Sequence, residues 1–159
     1  MSEFVKEYDI DHKVQRLYIH WDVSTQCNFK CTYCYAMKEY GDDWGKIDRW
    51  DKQKLVIKAI DKATLPVFLG LLGGEPTMHP NYSDLIELCH KAVSKHPDGR
   101  LYVTTNGSTK SSFFEQHKFY KQMYFLFSFH PEYEAKYGTG FTTLLNNIKI
   151  MKKRGFKCK

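Results

Sequence analysis

Apolar residues are grouped along this chain in two alternating kinds of segment. The first kind is short, β-branched and aromatic, and is bounded by turn residues, which predicts strands. Residues 16–23 open the series. Residues 67–72 follow, apolar without alternation, as in strands covered on both faces. Residues 101–105 and 123–129 continue it, and 156–159 begin a fifth. The second kind carries apolar residues at helical spacing. A helix should start near Asp48, with Asp51 in a capping arrangement, bury Leu55, Val56, Ala59, Ile60 and Ala63, and stop at Pro66. A second, capped at Asn81, should bury Leu85, Ile86, Cys89, Ala92 and Val93. A short one is predicted over 111–118. A last one over 142–154 should bury Phe141, Leu144, Leu145, Ile148 and Met151 and end at Gly155. Residues 41–45 read as a loop, and 97–99 as a turn. Strand and helix thus alternate four times, plus a beginning. That order calls for an α/β fold of parallel strands with right-handed crossovers. It forms one domain over residues 15–159, preceded by a polar arm, residues 1–14, that lacks periodicity.

Composition narrows this only modestly. A length of 159 residues is enough for one core. No apolar run approaches the roughly 20 residues of a membrane span, and residues 1–6 lack a signal-peptide pattern. A cytoplasmic, reducing location is the expectation, and it suits clustered free cysteines. The net charge is +6, but five of the 24 basic residues lie in 151–159, where no acidic residue occurs. The remaining 19 face 18 acidic residues, so the charge makes no case for nucleic acid as a partner.

Cysteine placement changes the picture more. Cys27, Cys31 and Cys34 fall within eight residues, at spacing C-x3-C-x2-C. Four thiolates would close a zinc or iron–sulfur site, whereas three leave one metal position without a protein ligand. A zinc loop completed by His20 or His79 is the competing reading. Cys89, on a helical stripe, reads as a small buried hydrophobe. The sequence assigns no role to Cys158.

The triplet, with aromatic Tyr33 before its last cysteine, resembles the signature of the radical S-adenosylmethionine (SAM) enzymes. Gly73-Gly74-Glu75-Pro76 ends the second apolar run, Thr104-Thr105-Asn106-Gly107 the third, and Ser128-Phe129-His130 the fourth. All resemble family features in family order, and the likeness runs from about Arg16 to the end. It implies a partial parallel (β/α) barrel whose ligands sit at the C-terminal ends of the strands, where all four motifs fall. It implies a [4Fe–4S] cluster on Cys27, Cys31 and Cys34, with SAM chelating the fourth iron. Gly73 and Gly74 would admit the methionine end of SAM closely, and a backbone carbonyl at Glu75 would accept from its ammonium. Tyr33 would lie against adenine. Asn106 and Ser128 would bond the ribose or carboxylate. His130 stands where many relatives carry an acid, as a contact to SAM or substrate or as a proton carrier.

The activity so implied is reductive cleavage of SAM to methionine and a 5′-deoxyadenosyl radical that takes hydrogen from a substrate. A flavodoxin or ferredoxin would supply the electron. Residues 73–80 most resemble the peptide-maturase and cofactor-biosynthesis branch, so the substrate is a peptide or a small molecule. A non-catalytic iron–sulfur or SAM-binding partner subunit is the alternative. Relatives usually have six strand–helix units, so the chain is expected to be either a piece of a longer protein or a minimal one whose barrel a second copy or a partner chain completes.

Overall fold

The computed structural model describes residues 15–41, 45–138 and 140–159, so the arm over 1–14 and the middle of the loop over 41–45 lie outside the described residues. The elements run β1 (Leu17–Ser24), α1 (Tyr35–Tyr40), α2 (Trp50–Asp61), β2 (Val67–Gly73), α3 (Tyr82–Val93), β3 (Arg100–Thr105), α4 (Ser111–Gln116), β4 (Met123–Phe127), α5 (Pro131–Tyr137), α6 (Gly140–Lys153) and β5 (Lys157–Cys158). The strands form one parallel sheet in chain order, β1 to β5. Such an order arises when every crossover moves one place along the sheet in the same sense. The parallel order is the one that the strand–helix alternation predicts, and the unclosed sheet fits the partial barrel that the resemblance implies. No described helix is long and apolar enough to cross a membrane.

One face of the sheet carries the core. Leu69 and Leu71 of β2, Leu101 and Val103 of β3, and Met123 and Phe125 of β4 are buried against Ile57, Leu85, Ile86, Cys89, Phe114 and Met151 from the helices. The stripe predicted for α3 is buried as expected. The other face is partly open: of β2, expected to be covered on both faces, Val67, Leu69, Gly70 and Leu71 are buried while Phe68 and Leu72 are half-buried. β3 alternates strictly between half-buried and buried positions. Tyr102 and Tyr124 stack there with centroids 6.0 Å apart. Gly70 makes room for this: a Cβ on it would meet the Tyr102 ring at 2.4 Å.

Two helices bury only part of the stripe their apolar pattern predicts: Ile60 in α2, and Leu144 and Met151 in α6, are buried as expected, but other predicted positions are not. In α2 the buried residues are Gln53, Ile57 and Ile60, whereas Leu55 is 63% exposed and Val56 39%. Gln53 turns the helix, because its Nε2 donates to the Val23 carbonyl at 3.0 Å and to the Asp48 carbonyl at 3.3 Å. The predicted cap is also absent: Arg49 holds the N-cap position, and Asp51 pairs with its guanidinium at 3.0 Å. In α6 the buried set is Leu144, Asn147 and Met151, while Phe141 and Leu145 are exposed. The Asn147 amide donates to the carbonyls of Gly107 and Thr109 at 2.8 and 2.9 Å. Ile57→Ala should therefore cost about 2–5 kcal/mol, and Leu55→Ser less than about 0.5. Urea unfolding of the two variants tests this, and equal losses would restore the predicted stripe.

Candidate functional site

Parallel strands bring their C-terminal ends to one edge of the sheet, and the loops after β1, β2, β3 and β4 meet there. The cysteine loop leaves β1 at Ser24 and is fastened to the end of β2. Gly74 N–H donates to the Ser24 carbonyl at 2.8 Å, and Glu75 N–H to the Gln26 carbonyl at 2.7 Å. Gly73 has φ +116°, and a Cβ there would stand 2.1 Å from the Ser24 oxygen; one on Gly74 would stand 2.0 Å from the Gln26 oxygen. Both glycines are thus required by the backbone of the cysteine loop itself.

Glu75 lies beneath that junction and is fully buried. Its Oε1 accepts from Thr77 N–H at 3.1 Å, Thr77 Oγ1 at 2.6 Å and Thr105 Oγ1 at 2.7 Å, and its Oε2 from Asn106 N–H at 2.7 Å. The side chain therefore ties the end of β2 to the end of β3. Burial lifts its carboxyl above the ordinary value, and the hydrogen bonds from Thr77, Thr105 and Asn106 oppose that lift.

Above this junction opens a cavity of about 230 Å³. Cys27, Cys31, Cys34, Tyr33, Gly73, Gly74, Asn106, Ser128 and His130 all line it, together with Phe29 and Thr105. Glu75 does not, because its side chain points into the hydrogen-bonded core below. Asn106 spans the gap to the cysteine loop: its Nδ2 donates to Asn28 Oδ1 at 3.0 Å and sits 3.9 Å from Cys27 Sγ. Its Oδ1 accepts from Ser108 N–H and Oγ.

His130 joins three other side chains of the wall. Nε2 lies 2.9 Å from Ser128 Oγ, and Nδ1 lies 2.9 Å from the Tyr33 hydroxyl and 3.4 Å from Cys31 Sγ. Ser128 Oγ also reaches the Thr105 carbonyl at 3.3 Å. In the neutral Nε2–H tautomer Ser128 donates to Thr105, Nε2–H donates to Ser128, and Nδ1 accepts from Tyr33, with Cys31 Sγ a longer contact to the same nitrogen. Burial lowers the His130 pKa, consistent with this neutral ring.

The thiols share a cavity rather than a common point, and among the described residues no group of three or more His, Cys, Asp or Glu side chains is drawn together as a metal set. Cys27 Sγ accepts from Phe29 N–H at 3.3 Å, while Cys31 Sγ faces His130. Burial pushes the Cys27 thiol up to about 11 and raises that of Cys31. Protonated thiols do not repel one another and need no cation. A metal would drive off those protons and draw the sulfurs together. Three thiols on one wall, with no lysine or arginine lining the cavity, are a donor set suited to a thiolate-bound iron cluster. Neither His20 nor His79 lines this cavity. His79 is buried, with its Nδ1 accepting from Asn81 N–H at 3.1 Å.

The sequence reading missed the next contributor, α5. Pro131 in its first turn and Gly138 at its left-handed C-cap are ordinary helix punctuation and could have marked it. From this helix Tyr133 stacks on Phe29 at 3.6 Å, with the rings 13° from parallel. Glu132 Oε2 accepts from Thr32 N–H at 2.8 Å and Thr32 Oγ1 at 3.2 Å.

The family model described as "Radical SAM superfamily" matches residues 21–159. GTP 3′,8-cyclase of Vibrio vulnificus (strain YJ016) is 32% identical over 93 residues, which is 57% of this chain and 26% of that one. Fe-coproporphyrin III synthase of Methanosarcina barkeri is 32% identical over 88 residues, 55% of this chain and 20% of that one. The solved structure of native anSMEcpe with bound AdoMet superposes with a TM-score of 0.65 at 21% identity, over 91% of this chain and 43% of that one. The same protein with AdoMet and the Cp18Cys peptide gives 0.60 at 22%. The aligned region thus spans well under half the length of these proteins.

Proposed function

The chain belongs to the radical SAM superfamily, and from that premise we propose that Cys27, Cys31 and Cys34 hold a [4Fe–4S] cluster beside a SAM-binding cavity. The observation that carries this reading is the convergence of four strand-end motifs, far apart in sequence, on one cavity at one edge of the sheet. Bound there, the cluster would supply the electron that cleaves SAM to methionine and a 5′-deoxyadenosyl radical, which abstracts hydrogen from a substrate.

The chain's own residues would do the positioning. Gly73, Gly74 and the Glu75 backbone set the strand edge that the methionine end meets. Tyr33 presents an exposed ring at the mouth for adenine. Ser128 and His130 present a hydroxyl and a neutral imidazole to the ribose or carboxylate, and Asn106 fixes the loop opposite. A peptide or a small molecule is the substrate class. The peptide held by a structural neighbour supports the first. A one-electron carrier of the flavodoxin or ferredoxin type is the reductant we assign.

Anaerobic reconstitution with iron and sulfide, followed by dithionite and SAM, tests this reading. The expected product is 5′-deoxyadenosine, read by mass spectrometry. A retained cluster without that product would indicate a non-catalytic binding module. Zinc without iron or sulfide in the anaerobically purified protein would overturn the iron–sulfur reading.

A further inference from the structure

The loop carrying the three cysteines has its own peptide groups to satisfy. Two turn inward: Phe29 N–H donates to Cys27 Sγ at 3.3 Å, and Cys34 N–H to the Cys31 carbonyl at 3.1 Å. Thr32 N–H points the other way, to an acceptor 100 residues along the chain. That acceptor is Glu132 Oε2, which takes the Thr32 N–H at 2.8 Å and the Thr32 hydroxyl at 3.2 Å. The same stretch stacks Tyr133 on Phe29 and sets His130 against Cys31 and Tyr33. Residues 29, 31, 32 and 33 are therefore all gripped by residues 130–133.

We propose that Glu132 is a positioning residue for the cysteine loop, one that holds the Thr32 peptide and so sets the pitch at which Cys31 and Cys34 present their sulfurs to a cluster. This rests on the iron–sulfur reading above. The peptide between two ligands is the part of a short loop most free to rotate, and its rotation separates the sulfurs. An acceptor mounted on a helix removes that freedom, and the Phe29–Tyr133 stack fixes the helix against the loop. The carboxylate also places a negative charge beside Cys31. That charge opposes uptake of a further electron and lowers the potential of anything bound there.

Glu132→Ala and Glu132→Gln separate the two effects, because the glutamine carbonyl can still accept from Thr32 but carries no charge. In the metal-free protein, amide exchange at Thr32 should quicken about tenfold in Glu132→Ala and stay slow in Glu132→Gln. After reconstitution, iron loss to a chelator should speed up about 10- to 100-fold in Glu132→Ala and stay near wild type in Glu132→Gln. The midpoint potential should move positive in both. A merely structural role would lower both melting temperatures without splitting the variants or moving the potential. If the wild type holds a cluster and Glu132→Ala matches it in exchange, iron loss and potential, the positioning role falls and the iron–sulfur reading stands. A wild type that holds no iron and sulfide overturns both. Should Glu132→Ala fail to fold, an unshifted potential in Glu132→Gln still refutes the charge effect, and rapid Thr32 exchange in it refutes the clasp.

Discussion

An alanine at Cys31 is expected to abolish iron retention after anaerobic reconstitution, and with it any SAM-dependent 5′-deoxyadenosine. A thiolate-bound structural metal is worth about 10–16 kcal/mol over four ligands, or about 2.5–4 per ligand, so losing one weakens binding roughly a hundredfold to a thousandfold. The fold should barely register the change. Cys31 Sγ makes weak polar contacts to His130 at 3.4 Å and to the Tyr33 hydroxyl, and its removal should cost about 1 kcal/mol. The control is Cys89→Ala. Cys89 is buried on the α3 stripe and does not line the cavity, so its loss should lower stability and leave iron content intact. Paired iron and sulfide analysis with thermal melts reads both. A Cys31→Ala protein with full iron and sulfide would mean that the metal is held elsewhere.

That Cys27, Cys31 and Cys34 face one cavity while Cys89 is buried in α3 was legible in the sequence because each lies in a pattern with one physical meaning. A thiol on an i, i+3, i+4, i+7 stripe is buried, and thiols crowded into eight residues share a site. The α3 stripe and the parallel order were legible for the same reason. In α2 the pattern misled in part: the predicted stripe joined Ile60 to Leu55 and Val56, whereas the buried face joins it to Ile57 and Gln53. Hydropathy sends Gln53 to solvent, but the Val23 and Asp48 carbonyls claim it, and acceptors contributed by distant segments leave no local trace. Asn147 in α6 repeats the case.

The site divides along the same line. Its membership followed from topology, since parallel strands must deliver their C-terminal loops to one edge. Which atom each residue touches did not follow. The glycine pair reads as room for a ligand, whereas the Cβ positions of Gly73 and Gly74 would collide with the backbone of Ser24 and Gln26. Glu132 has no spacing relation to Thr32 at all, so only the folded chain brings them together.

Glu75 is where that tertiary dependence should cost most. Its carboxylate has no cationic partner among the described residues and is held by donors from Thr77, Thr105 and Asn106. Glu75→Ala strands the buried Thr77 and Asn106 N–H groups and leaves a void, at about 1–3 kcal/mol for each unsatisfied donor. A total of about 3–5 kcal/mol follows, a large share of the 5–15 kcal/mol typical of a domain, so the variant should be marginal at ambient temperature. Glu75→Gln keeps a carbonyl oxygen for the Thr77 and Thr105 donors but opposes its amide to the Asn106 N–H, and should lose about 1–3 kcal/mol. The two also differ from wild type in pH dependence. Burial holds the folded-state pKa of Glu75 above its ordinary 4.5, so the native state binds this proton more readily than the unfolded chain does. That contribution is fully present below the unfolded value and is lost as pH rises through the folded one. Wild type should therefore gain stability relative to Glu75→Gln as pH falls from neutral through that window. Denaturant unfolding of the pair at several pH values measures the difference. A constant gap, or a Glu75→Ala protein within about 1 kcal/mol of wild type, would mean that the β2–β3 junction does not depend on this carboxylate.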